Sequence, residues 1–348
     1  MVGSSIVVLT THRQTRRQVA RALLSAGITV RFIEDQGADF AASAGPPPDL
    51  IVLDCDNNDL LAVENVLASF SHGRPCPPVV LLSLGANKGP LIELIRKHDI
   101  GNLVAKHGAI RAVYPVLDER ELLVTCEKVI QRNIFGIDKY IGIWGVVFHT
   151  AVIKSLEDKQ PFLAEFEQFL TGLDCPSSVI PSMVTVAEEL ILNAVVHAPH
   201  GPDGRPKYRD RAPSSSLVLE PHEYVTIRYG CDGQRLMFSV TDQFGRLDKH
   251  TLYDYISRGF SSNVLEIEDK PAGAGLGLFL SFRSIHQLVF NIQQSVRTEV
   301  IAGWYLRVTK GSEFRQVAKS FNLFWLPADS EPISQPLPSV AALKATER

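Results

Sequence analysis

Short apolar runs separated by amphipathic stretches organise the first third of the chain. Ile6–Leu9, Thr29–Ile33, Leu50–Leu53, Val79–Leu82 and Leu103–Val104 are rich in branched apolar residues and end at polar or turn residues, which predicts strands buried on both faces. Between them Arg13–Ala26, Asn58–Phe70 and Leu91–His98 repeat apolar residues at helical spacing. Strand alternating with helix predicts a doubly wound α/β sheet, with ligand chemistry at the carboxyl ends of the strands. Thr10, Asp54, Ser83 and Lys106 stand at those ends.

Helical patterning continues through a connecting region, in Leu122, Leu123, Cys126, Val129 and Ile130 and again in Phe162, Phe166, Phe169 and Leu170. A longer helix follows from Pro181 to before Pro199, since proline suits a first turn and cannot continue a helix. Its core face is Met183, Val186, Ala187, Leu190, Ile191 and Ala194, while Glu189, Asn193 and His197 recur every four residues and share one stripe. Such a stripe also occurs on plain surface helices. Here Leu192, Val195 and Val196 make the helix apolar nearly all round, so the stripe is expected to face a cleft.

Pro199 to Pro221, with its glycines, arginines and three serines, reads as an exposed loop from which Arg205, Lys207 or Arg209 could reach a ligand. Val225–Tyr229 and Leu236–Thr241 read as a hairpin about Asp232-Gly233. A helix is predicted over Lys249–Ser257, another over Leu276–His286, and strands over Leu288–Gln293 and Thr298–Tyr305. Pro327 to Arg348 has four prolines and no periodicity, as expected of a disordered tail. The organisation expected is therefore residues 1–125, an α/β unit; 126–178, a helical connection; 179–326, an α+β unit; and 327–348, the tail.

Composition narrows the function. With 348 residues, 45% of them hydrophobic, the chain is long enough for two domains. A net charge of -3 gives no basic footprint for nucleic acid. The five cysteines are widely spaced and never in Cys-x-x-Cys, which favours free thiols in a reducing compartment. No apolar run reads as a membrane span or a leader, so a cytoplasmic protein is expected.

Three ordered motifs bear on chemistry: Glu189-Leu190-Ile191-Leu192-Asn193-Ala194 on the helix, Asp242-Gln243-Phe244-Gly245 closing a strand, and Gly273-Ala274-Gly275-Leu276-Gly277 opening a helix. Glycines at a helix N-terminus let backbone N–H groups approach phosphate. In this order the motifs resemble the GHKL ATPases, a superfamily that includes gyrase, sensor histidine kinases and anti-sigma-factor serine kinases. The resemblance covers about residues 175–310 and implies a Bergerat-type α+β ATP-binding sandwich with ATP and Mg²⁺ as cofactors. It implies Asn193 as the Mg²⁺ ligand and Glu189 as catalytic base or water-positioning residue. His197 stands where many kinases of the superfamily carry histidine. Asp242 would take the adenine amino group, Thr298 would help seat adenine, and Gly245, Gly273, Gly275 and Gly277 would belong to the nucleotide-binding glycine boxes. Phe244 and Arg246 depart from the Asp-x-Gly-x-Gly pattern.

The first unit resembles the flavodoxin-like receiver domain of response regulators, with Asp54 matching the phosphoacceptor, Ser83 the switch position and Lys106 the lysine. The acidic pair of that family is replaced by Thr10 and Thr11, and an acyl phosphate needs Mg²⁺ held by carboxylates. A pseudo-receiver used for docking is therefore the better expectation. Together the two resemblances imply a signal-transduction regulator with a protein partner or substrate, a serine/threonine kinase of anti-sigma-factor type. The alternatives are a nucleotide-gated interaction module without catalysis and a hybrid histidine kinase, whose phosphoacceptor would be His149. Homodimers are common among such relatives.

Overall fold

The computed structural model describes residues 3–33, 47–55, 60–70, 77–84, 88–108, 115–142, 145–201, 204–208, 217–260, 284–306 and 319–331. Gly273, Gly275, Gly277, the helix expected at Leu276–His286 except its end, and most of the tail lie outside these residues.

The first unit contains β1 (Ser5–Leu9), α1 (Arg13–Leu24), β2 (Thr29–Ile33), β3 (Leu50–Asp54), α2 (Leu60–Phe70), β4 (Val79–Ser83), α3 (Lys88–Lys97) and β5 (Asn102–Gly108). Its strands pair in parallel in the order β2-β1-β3-β4-β5, the flavodoxin-type α/β order. Alternate residues of β3 explain the two-sided burial: Leu50 and Val52 pack toward α1, Ile51 and Leu53 toward α2 and α3.

The short β6 (Pro115–Leu117) pairs with β5, and Asp118 then caps α4 (Glu119–Gln131), accepting from the Glu121 N–H at 3.0 Å. The expected domain boundary at 125/126 falls inside this helix. α4 closes the first core through Leu122 and Cys126, and through Val124 it also belongs to a second core with Ile137, Tyr140, Met237, Val289 and Ile301. One helix thus covers the backs of both halves.

The segment expected as a helical connection is only partly helical. It holds β7 (His149–Ile153) and α5 (Lys159–Gly172), and β7 pairs antiparallel with β8 (Val225–Cys231) as an edge of the second half of the sheet. α6 (Ile180–Leu192) follows, continuing as a π-helical turn at Asn193–His197. β9 (Arg235–Asp242), α7 (Lys249–Phe260), β10 (Gln287–Gln293), β11 (Arg297–Tyr305) and β12 (Ser320–Leu326) complete the described elements. The hairpin turn is as expected, with Gly233 at φ +81° and Asp232 Oδ1 accepting from the N–H groups of Gln234 and Arg235.

β12 returns parallel to β10 and pairs on its other side with β5, placing Phe321 opposite Leu103 and Asn322 opposite Asn102. The halves therefore share one sheet, ordered β2-β1-β3-β4-β5-β12-β10-β11-β9-β8-β7. α2, α3, α5, α6 and α7 lie on one face of it above a single core. Ile180–His197, long and apolar enough by length and composition to cross a membrane, lies in that layer and contributes Met183, Val186, Leu190 and Ile191 to the core.

Candidate functional site

At the carboxyl ends of the parallel strands, Asp54 and Lys106 form an ion pair, and Ser83 closes β4 in register with Ala105. Lys106 Nζ donates to Asp54 Oδ1 at 2.5 Å and to Thr15 Oγ1 at 3.0 Å. The Thr10 hydroxyl donates to Asp54 Oδ2 at 2.7 Å and accepts from the His12 N–H at 3.1 Å. Both carboxylate oxygens are engaged, and the Asp54 side chain is 2% exposed. An anion is held here by a lysine and a threonine, and Thr10 occupies the strand end where a metal-binding acid would offset charge on an incoming phosphoryl group.

A cavity of about 450 Å³ opens in the second half between the α6 C-terminal turn and β9, β10 and β11. Asn193, His197, Asp242 and Thr298 all line it. Asp242 and Thr298 face each other in register across β9 and β11, beside Leu190, Val240, Phe290 and Val300. That end is apolar apart from the two polar groups, as suits a flat heterocycle with one amino group to place. Burial pushes the Asp242 carboxyl up to about 6, against the backbone N–H groups of Phe244 and Gly245 and the Thr298 hydroxyl, which hold it down.

Gly245 explains the altered glycine box. It has φ +58°, and a Cβ there would lie 2.0 Å from the Gln293 carbonyl oxygen and 2.8 Å from the Val296 nitrogen. The residue closes against the β10–β11 turn, donates its backbone toward Asp242 and accepts from the Ser295 N–H. Glycine is required by that contact and by the left-handed backbone. Arg246 then enters the cavity wall with Asp248 and Thr251 of the α7 entry.

Glu189 is the exception among the helix motif. Asn193 and His197 line the cavity and Glu189 does not. Glu189 belongs to the α-helical part, which ends at Leu192, whereas Asn193 and His197 bound the π turn. Glu189 lies half-buried beside Glu188, which pairs with Lys159, and burial and the Glu188 charge both raise its carboxyl.

The loop after the helix contributes His200 and Pro206 to the wall, held by a bridge between those two residues and by the Lys207 N–H donating to the Pro199 carbonyl. Lys207, one of three loop cations that could reach a ligand, pairs with Glu220 and Glu223, and Tyr208 donates to Glu223 at 2.6 Å. Arg205 is not part of the wall, and Arg209 lies outside the described residues. Arg246 is the wall cation that the pattern did not single out; its place two residues before the Asp248 cap of α7 was the available signal.

His149 sits on an edge strand, stacked on Tyr229 at 4.9 Å between centroids and edge-on to Phe169 at 5.1 Å. His149 thus lies on an exposed edge strand beside an aromatic cluster, and not on a helical hairpin.

No protein-family model matches the chain, and no curated protein matches it. Among solved structures it is similar to a response regulator from Thermotoga maritima, at 20% identity over 36% of this chain and 97% of that one, with a TM-score of 0.30. It is similar also to a response regulator receiver protein from Burkholderia phymatum, at 17% identity over 36% and 94%, TM-score 0.29. A CheY-like response regulator from Mesorhizobium loti gives 21% identity over 34% and 92%, TM-score 0.27.

Proposed function

We propose that the chain is a cytosolic signal-transduction regulator in which a GHKL-type module binds Mg²⁺-ATP and a receiver-like unit without phosphoacceptor chemistry is built into the same sheet. The observation that carries this reading is the cavity whose apolar end holds the register pair Asp242 and Thr298 and whose helical wall presents Asn193 and His197. Asp242 would accept from the adenine amino group. Asn193 offers one hard oxygen, and Mg²⁺ commonly takes one or two protein oxygens with phosphates and water supplying the rest. Arg246, on the same wall, supplies positive charge for the phosphates.

Between a kinase and a nucleotide-gated interaction module, the position of Glu189 favours the second. A general base acts within about 3 Å of the proton it takes, or through one water, and Glu189 stands off the wall beside Glu188. ATP bound in this cavity would then change the surface offered to a protein partner rather than modify that partner.

Photolabelling with an azido-adenine ATP analogue tests the assignment. The expected adducts lie in β9 through β11, are chased by ATP and weaken in Asp242→Asn. Labelling that ATP does not chase, or adducts confined to residues 1–125, would remove the reading.

A further inference from the structure

A second cavity, about 640 Å³, lies at the seam between the halves and plays no part in the nucleotide reading. Its walls are the α3–β5 junction, the last turn of α4, β12 and the first residue of α7. Among the described residues Lys97, Lys128, Arg132 and Lys249 line it, with Asp99 as the acid. Lys97 is matched by Glu64, and Lys249 by Asp99 at 2.6 Å. Arg132 forms no ion pair among the described residues, and burial lowers the Lys128 amine to about 7 against the raising charge of Glu299.

Lys128 is 1% exposed. Its ammonium donates to Asn291 Oδ1 at 3.2 Å and lies over the rings of Tyr140 and Phe324, which uses one of three N–H donors. Asn102, at the same wall, is 6% exposed and its Oδ1 has no partner; opposite it Asn322 is fully buried with neither amide atom partnered. Each such orphan costs roughly 1–3 kcal/mol. Water could satisfy the amides, but it supplies no counter-charge for Arg132. An anion supplies that charge and favours the protonated Lys128 amine, while water remains the partner of the amide oxygens, which accept rather than donate. Trp325, Leu326 and Pro77 give the remaining wall its apolar character.

We propose that the seam cavity binds a small phosphate-bearing organic anion, its phosphate held by Lys128, Arg132 and Lys249 and its organic part laid against Trp325. The site reaches the nucleotide cavity through one turn of helix. Asp248 and Thr251 line the first cavity, and Lys249, between them, lines the second. An anion that draws Lys249 from Asp99 moves the entry of α7, so occupancy of the seam shifts the geometry of the nucleotide wall by differential binding.

The test is a calorimetric titration of the intact chain with inorganic pyrophosphate, made in an Arg246→Gln background so that the first cavity is weakened as a competing site. Saturable binding is expected, and it should weaken by about tenfold or more in Arg132→Gln with Lys249→Gln, since each contact is a charge-assisted one. Both replaced residues sit at the rim of the groove, so folding is checked independently by the thermal midpoint. Absence of binding at millimolar pyrophosphate, or equal affinity with and without the two replacements, overturns the proposal. So does binding that appears only when Arg246 is restored, because the anion then occupies the first cavity. None of these outcomes depends on whether ATP binds.

Discussion

Thr298 and Glu299 are consecutive on β11 and serve opposite faces of the sheet. Thr298 lines the cavity across from Asp242. Glu299, 4% exposed, accepts from Asn291 Nδ2 and from the Gly136 N–H, each at 2.8 Å. The linker that follows α4 is therefore fastened to the back of the strand that seats the proposed base.

Replacing Glu299 with Ala leaves the Asn291 amide and the Gly136 N–H without their acceptor and removes the carboxylate charge that favours the protonated Lys128 amine. The expected loss is roughly 1–3 kcal/mol in stability, the cost of orphaned buried donors, read from the urea midpoint. Nucleotide affinity should fall as well, although the side chain never touches the cavity. An unchanged midpoint would mean that the linker is not held there.

Asp54→Ala leaves Lys106 charged, buried and without its anion, which costs roughly 3–5 kcal/mol. Adding Lys106→Met should recover most of that loss, because the pair rather than either charge is what the interior tolerates. In the native protein, acetyl phosphate should leave Asp54 unmodified by mass spectrometry. An acyl phosphate on Asp54 would contradict the account of the engaged carboxylate.

The Asp242 carboxyl titrates at about 6 in the folded chain and at about 4 when unfolded. Between those values the folded state holds more protons, so this group's contribution to stability falls as pH rises from about 4 to about 6 and is constant above. Ligand binding runs the other way, because the ionised carboxylate is the better acceptor. ATP affinity should fall as pH drops through about 6, and Asp242→Asn should remove that dependence. The comparison with the variant isolates the carboxylate from every other group that titrates over the same range. Equal profiles for the two proteins would count against the assignment.

Gly245→Ala places a methyl against the Gln293 carbonyl and strains a left-handed backbone. A clear fall in the thermal midpoint is expected, on a scale of about 1–2 °C for each 1 kcal/mol lost, given an unfolding entropy of about 2 cal/mol/K per residue in a chain of this length. Arg246→Gly, which restores the glycine of the motif, should leave the midpoint nearly unchanged and weaken nucleotide binding.

The local features were legible because local chemistry carries them. Branched apolar runs placed β1 to β4 within a residue or two, and Asp232-Gly233 placed the hairpin. What the sequence did not show is long-range. Phe321 to Leu326 is a dense apolar run, yet nothing local says that it pairs with β5 as well as β10. The pattern of α4 fits one apolar face, while the structure gives it two cores to cover. His149 to Ile153 was read within a helical connection because its alternation is short. Asn193, His197, Asp242 and Thr298, named by the motifs, meet at one cavity, whereas Glu189, one α-helical turn before Asn193, is not among its lining residues.

The most direct measurement is equilibrium binding of ATP, with and without Mg²⁺, to the native protein, Asp242→Asn and Asn193→Ala. The account predicts that both replacements weaken binding, with Asn193→Ala acting mainly when Mg²⁺ is present. Folded proteins that all fail to bind ATP, or that all bind it equally, would contradict it.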